Sequence, residues 1–188
     1  MRVAGLLLAA GAGRRYGMPK ALVRHRGKLF VEAATDVLYD GGCSPVVVVL
    51  GALAEDVRTT AALSGALLVD NPDWDTGMGS SVRVGLSALG ATDATAALVL
   101  PVDTPGTTAE VVRRFVGLAS ADVLARATYG GVPGHPVLIG RERWEAVSEL
   151  ATGDAGARPY LERHDVATVP CEDLADGADV DRPEDLPS

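Results

Sequence analysis

The amino-acid sequence predicts an α/β fold with a mostly parallel central sheet, on three observations. Apolar runs at 3–8, Val46–Leu50 and 96–100 show no polar alternation, the mark of strands buried on both faces. Helical periodicity fills the gaps between them, at 29–39, 54–63 and 80–89. Strands and helices alternating at this spacing form βαβ units joined by right-handed crossovers.

Each element has its own signals. The helix at 29–39 stops at Gly41-Gly42, and Pro45 precedes the β-branched run at Val46–Leu50. A third short strand is expected at 66–69, followed by a polar loop, 70–79, that carries Trp74. The strand at 96–100 ends in Pro101-Val102-Asp103-Thr104-Pro105. Thr107 or Thr108 can cap a helix running to about residue 118. Beyond it, 122–128, 129–134 and 135–139 read as strand, turn and strand. Helices are expected at 141–150 and 157–163, a strand at 167–169, and a last short helix with Pro183 in its first turn. This second half breaks the βα rhythm and is expected to form a lobe over the sheet.

Composition sets the bounds. A chain of 188 residues, 47% hydrophobic and 22% charged, can bury one sizeable core and is read as a single domain. No apolar run approaches the roughly 20 residues of a membrane span, and 6–10 is too short for a secretory signal. A cytoplasmic protein is expected. The net charge of −8 argues against a nucleic-acid partner. Residues 1–28 are basic without one acid, and residues 165–188 carry eight acids against Arg182. Cys43 and Cys171 match no metal spacing and read as plain thiols, and His25 and His164 read as surface groups.

Ligands of open α/β sheets bind beyond the carboxyl ends of the strands. Three segments sit there: a glycine loop after the first strand, Asp103, and the loop before Ser80. Gly11, Gly13 and Gly17 let the backbone approach a ligand, and its N–H groups can point at phosphate oxygens beside Arg14, Arg15 and Lys20. Neither G-x-G-x-x-G nor the Walker pattern is present. Basic residues are nearly all arginine, so Lys20 suggests a need for a compact, mobile charge. Asp103 is either a metal ligand or the cap of its own turn, and Pro101 and Pro105 stiffen that turn. Asp179 and Asp181 alternate around Val180, so an extended chain turns both to one face. A basic phosphate loop with carboxylates at strand ends suggests a nucleoside triphosphate with Mg²⁺.

These residues carry a resemblance. Leu8, Ala9, Ala10, Gly11, Gly13, Arg15, Gly17 and Lys20 meet the pattern L-A-A-G-x-[GS]-x-R-x-G-x-x-K. Gly77-Met78-Gly79-Ser80-Ser81-Val82, Asp103-Thr104-Pro105, Gly134-His135-Pro136-Val137, Gly153 to Arg158 and Asp179 to Asp185 follow in order. The chain resembles the molybdenum cofactor cytidylyltransferases and the wider nucleotidyltransferase superfamily that shares the loop. Val102, where glycine is usual, and Arg182, where threonine is common, depart from the pattern and leave the acceptor less defined.

The resemblance implies a Rossmann-like three-layer sandwich of the nucleotide-diphospho-sugar transferase type. It implies a nucleotide-binding half at about 1–105 and an acceptor-binding half at about 106–188. Leu8, Ala9, Ala10, Gly11, Gly13, Arg15, Lys20 and Ser81 would hold the nucleotide, with Arg15, Lys20 and Asp103 catalytic. Asp103 and Asp181 would bind Mg²⁺, and His135, Arg158 and Trp74 would face the acceptor. CTP is favoured over GTP, because related guanylyltransferases usually have glycine where Ala10 keeps a methyl group. Ser81 is assigned either to the nucleotide or to capping its helix. The implied acceptor is molybdopterin or its molybdenum cofactor. A sugar phosphate, a methylerythritol-type phosphate and a phospholactate stay open, and a molybdoenzyme or cofactor-handling protein is a possible partner. Two other classes are kept: a non-catalytic nucleotide- or cofactor-binding chaperone, and a nicotinamide-dependent oxidoreductase, which lacks its glycine fingerprint here.

Overall fold

The structure, a computed structural model, describes residues 1–186. The chain opens with β1 (Val3–Ala9), then a short hairpin of β2 (Arg24–His25) and β3 (Lys28–Leu29) before α1 (Phe30–Asp40). β4 (Val46–Leu50), α2 (Ala54–Thr60), β5 (Leu67–Asp70), α3 (Met78–Gly90), β6 (Ala96–Pro101) and α4 (Ala109–Val116) complete the βα succession. β7 (Leu124–Tyr129), β8 (Val132–Gly140), α5 (Trp144–Leu150), α6 (Arg158–Leu161) and β9 (Ala167–Pro170) follow, with a 3₁₀ turn at Pro183–Asp185.

The main sheet has the order β5-β4-β1-β6-β8-β7-β9. β4 and β6 flank β1 in parallel, and β8 runs antiparallel to both of its neighbours. The expected lobe is therefore corrected: the second half extends the sheet. Val99 pairs with Val137 and Ala97 with Ile139, so β8 satisfies the edge of β6 that a detached lobe would leave open. The hint was in the sequence, since 136–140 is a continuous buried run like β1.

The strand period of two divides the core. Val3, Leu7 and Ala9 face α1 and α4, among Phe30, Val31, Leu38, Val112 and Phe115. Ala4, Leu6, Leu8 and Ala10 face α3, α5 and α6, among Val82, Leu86, Trp144, Tyr160 and Leu161. The result is a three-layer sandwich. Thr108 supplies the cap of α4, its Oγ1 accepting from the Val111 N–H at 3.3 Å. Gly85 lets α3 lie tight on β1, where an added Cβ would stand 2.2 Å from Leu6 Cδ1. That contact helps set the N-terminal turn of α3 over the carboxyl end of β1. Among the described residues no helix is long and apolar enough to cross a membrane.

Candidate active site

The loop after β1 is closed by its own backbone. The carbonyl of Ala10 accepts from the Ala52 N–H at 2.9 Å, and the Gly17 N–H donates to the Gly13 carbonyl at 2.8 Å. Gly13 has φ +61°, and a Cβ there would fall 1.8 Å from the carbonyl oxygen of Met18. Only glycine fits. A Cβ on Gly11 would meet nothing within 4 Å, so the loop is open on the ligand side there.

Lys20, in a 3₁₀ turn after the loop, joins two distant carboxylates. Its Nζ donates to Asp103 Oδ2 at 2.9 Å and to Asp181 Oδ1 at 2.7 Å. Burial works to lower the Lys20 pKa, but the hydrogen bonds and charges of Asp181 and Asp103 outweigh it and raise it. The same hydrogen bond to Lys20, and then its charge, holds Asp181 below the ordinary carboxylate range. Arg15 lies at 3.6 Å from the second oxygen of Asp181.

The acidic C-terminal segment reaches this point through its backbone. Val180 is buried, and its N–H donates to the Asp103 carbonyl at 2.8 Å. Asp185 Oδ2 then accepts from the N–H groups of Asp181 and Arg182, at 3.1 and 2.9 Å, fixing how Asp181 leaves the chain. Asp179 makes no hydrogen bond or ion pair among the described residues. Its pKa is raised, first by desolvation and then by the carboxylates of Asp103 and Asp181.

The opposite wall is the start of α3. Buried Asn71 donates to Ser80 Oγ at 2.8 Å and to Ser81 Oγ at 2.9 Å. Ser80 spends its proton on the carbonyls of Asp73 and Gly77. Ser81 only accepts and does not cap the helix, so its O–H remains a donor toward the cleft.

The cleft between these walls has a volume of about 370 Å³. It is lined by Leu8, Ala10, Gly11, Gly13, Arg15, Lys20, Trp74, Ser81, Asp103 and Asp181, which the sequence had singled out. Arg14, Asp75, Met78 and Asp154 also line it; Met78 and Asp154 belong to motifs of the sequence and Asp75 to its polar loop, but the sequence assigned the three no role. Three expected residues do not line it. Ala9 points its methyl into the opposite core, as the strand period requires once Leu8 and Ala10 face the cleft. His135 and Arg158 stand beyond the lining, in β8 and at the start of α6. Burial, reinforced by the charges of Arg126 and Arg158 and opposed by Asp103, pushes the His135 pKa down to about 4.

Among the described residues no group of three or more His, Cys, Asp or Glu side chains could hold a metal. Asp103 and Asp181 meet at one ammonium, an all-oxygen pair of the kind that holds Mg²⁺ when phosphate oxygens and water complete the shell.

The architecture is that of the nucleotide-diphospho-sugar transferase fold, shared with the protein Rv0371c of Mycobacterium tuberculosis H37Rv. That structure superposes with a TM-score of 0.84 at 28% identity, covering 98% of this chain and 95% of the other. A manganese complex of the same mycobacterial protein gives a TM-score of 0.76 at 26% identity, covering 100% and 94%. Residues 5–168 match the MobA-like NTP transferase domain, and the chain belongs to that family. A protein named nicotine blue oxidoreductase, from Paenarthrobacter nicotinovorans, is 39% identical over 98% of this chain and 94% of its own length. A probable molybdenum cofactor guanylyltransferase of Bacillus cytotoxicus (strain DSM 22905 / CIP 110041 / 391-98 / NVH 391-98) is 30% identical over 61% of this chain and 56% of its own length.

Proposed function

We propose that this protein transfers a nucleotidyl group, CMP in preference to GMP, from a nucleoside triphosphate to a phosphorylated acceptor of the molybdopterin type, with release of pyrophosphate. The observation that carries the proposal is the meeting of Lys20, Asp103 and Asp181 beside an open glycine loop. An acceptor phosphate oxygen attacks the α-phosphorus, and pyrophosphate leaves in line. The acceptor needs no strong base, because a phosphomonoester has a second pKa of about 6. Catalysis is then positioning and charge neutralisation.

Loop N–H groups around Gly11 and Gly13 hold the triphosphate, and Arg15 and Lys20 balance the charge that builds on leaving pyrophosphate. Ser81 donates to the ribose or base. Trp74 covers the acceptor side. Asp103 and Asp181 would hold Mg²⁺, which supplies Lewis-acid polarisation of the α-phosphate when bound. On this scheme residues 1–105 serve mainly the nucleotide and 106–188 the acceptor, in the cytoplasm.

A second reading, oxidoreduction, is favoured by one observation. The relative named an oxidoreductase is more identical, over more of the chain, than the guanylyltransferase. Pyrophosphate release is the deciding assay, run with four nucleotides and a panel of phosphorylated acceptors. NAD(P)H oxidation with a redox dye is measured in parallel. Mg²⁺-dependent release with a pterin phosphate supports transfer. Dye reduction without release supports the redox reading. Nucleotide binding with neither supports a non-catalytic carrier.

A further inference from the structure

A second group of basic side chains lies on the cleft side of the sheet. In β7, Leu124 packs into the core under α5 and α6, and Arg126, two residues on, turns to the same face. Arg126 pairs in register with Val137 of β8, which shares that core. His135 lies two residues before Val137, where the β7–β8 ladder is irregular, and it feels the charges of Asp103, Arg126 and Arg158. Arg158 opens α6, four residues after Asp154 of the cleft wall.

Other partly buried arginines of the chain spend their guanidinium groups on protein acceptors. Arg141 donates to the carbonyls of Gly90, Thr92 and Ala94, and Arg143 to Asp122 and the Tyr160 hydroxyl. Arg114 is held by both oxygens of Asp173. Arg126 differs. Its Nε is buried with no hydrogen-bond partner. Neither Arg126 nor Arg158 has a carboxylate partner among the described residues. Apart from burial, the influence on Arg126 is the like charge of Arg158, which pushes its pKa down. Two unpaired guanidinium groups that repel one another gain nothing electrostatically from their proximity. An anion between them would satisfy both, and the planar fork of arginine suits phosphate oxygens.

We infer that Arg126, with Arg158 and His135, forms a subsite for the phosphomonoester of the acceptor, adjoining the cleft at Asp103. The inference rests on the transferase reading for its substrate but not for its chemistry. The neutral His135 imidazole adds one directional hydrogen bond, and the guanidinium groups supply the charge. A dianion seated there lies beside the end of β6, where Asp103 stands. Arg126 then selects acceptors that carry a phosphate over their dephosphorylated forms.

The test uses inorganic phosphate as probe and the ring signals of His135 as readout. The chain has three histidines, so His135→Gln assigns the signal. Phosphate is expected to shift the His135 resonances and to raise its apparent pKa back toward 6.5, its ordinary value. Arg126→Met is expected to weaken the phosphate Kd read at His135 by about tenfold or more, and Arg126→Lys by less, because it keeps the charge but not the fork. Should Arg126→Met fail to fold, Arg126→Lys carries the test through the same Kd. A His135 signal indifferent to phosphate, or an unchanged Kd in whichever of the two variants folds, overturns the subsite. Pyrophosphate release separates the two proposals. Arg126-dependent phosphate binding without release sinks the transferase and keeps the subsite. Release with an acceptor KM unmoved by Arg126→Met does the reverse.

Discussion

Lys20 and Asp181, 161 positions apart in the chain, meet at 2.7 Å, and the same ammonium holds Asp103 at 2.9 Å. The ammonium stands where a divalent cation would have to bind both carboxylates. On the proposed function, lysine and metal would compete for the carboxylates in the nucleotide-free protein, and a triphosphate would draw the lysine onto its own oxygens. Lys20→Met should tighten Mn²⁺ binding to the nucleotide-free protein severalfold while lowering kcat by about 10²–10³. Electron paramagnetic resonance of free Mn²⁺ gives the first quantity and pyrophosphate release the second. Weaker metal binding in the variant would show that Lys20 supports the carboxylates and does not compete for them.

The three acidic residues around this lysine differ in rank. Asp103→Ala should lower transfer by more than about 10³-fold, since it removes the carboxylate held in the turn just after β6. Asp181→Asn should cost nearly as much, because it removes the partner of Lys20 and Arg15 together. Asp179→Asn should cost least, as Asp179 touches neither cation. Melting temperatures of the three should stay near the wild type, with Asp103 and Asp181 partly exposed. An Asp179 variant slower than the Asp181 variant reverses the metal assignment.

How much of this was legible follows from where each contact is encoded. β1, β4 and β6 announce themselves because burial on both faces demands unbroken apolar runs, and the motif residues follow at their ends. The turn of the glycine loop is local, so glycine spacing reveals it. The clamp is not local. Asp181 reaches Lys20 because Val180 is buried and its N–H finds the Asp103 carbonyl, a pairing that no short stretch of sequence contains. Alternation put Asp179 and Asp181 on one face, yet only Asp181 makes the contact, since Asp185 draws the chain round after it. Arg126 sits inside a strand among Leu124, Ala125 and Ala127, and its unpaired Nε can be recognised only once its surroundings are known. Asn71, which orients both serines of α3, was silent for the same reason.

His135 makes stability depend on pH in a defined window. Its folded pKa is near 4 against an ordinary 6.5, so between these values the unfolded chain takes up a proton that the folded chain refuses. Stability is full above about pH 6.5 and falls as pH drops toward 4, by on the order of 2–3 kcal/mol. About a unit below 4 this contribution is fully lost. His135→Gln should flatten the slope across that window in phosphate-free buffer. Urea unfolding at half-unit pH steps measures it, and equal slopes in both proteins would show that other groups control it.

Nucleotide choice is the last prediction, and it turns on one methyl group. Ala10 lines the cleft, and its carbonyl is held by the Ala52 N–H, so the methyl cannot move aside by shifting the backbone. A purine is larger than a pyrimidine, and the methyl takes up room at the loop that a glycine would free. A single methyl in a pocket discriminates by only about 1–3 kcal/mol. GTP is therefore expected to be a poor substrate and not an excluded one. Ala10→Gly should narrow the ratio of kcat/KM for CTP over GTP by about tenfold, mainly by improving GTP. Ser81→Ala should raise the KM for either nucleotide more than it lowers kcat, since the role proposed for its O–H is binding and not reaction. Comparing the four specificity constants of the wild type and Ala10→Gly decides the matter. A wild-type preference for GTP would side with the Bacillus relative and end the cytidylyl assignment. An unchanged ratio in Ala10→Gly would move the source of selectivity away from the loop.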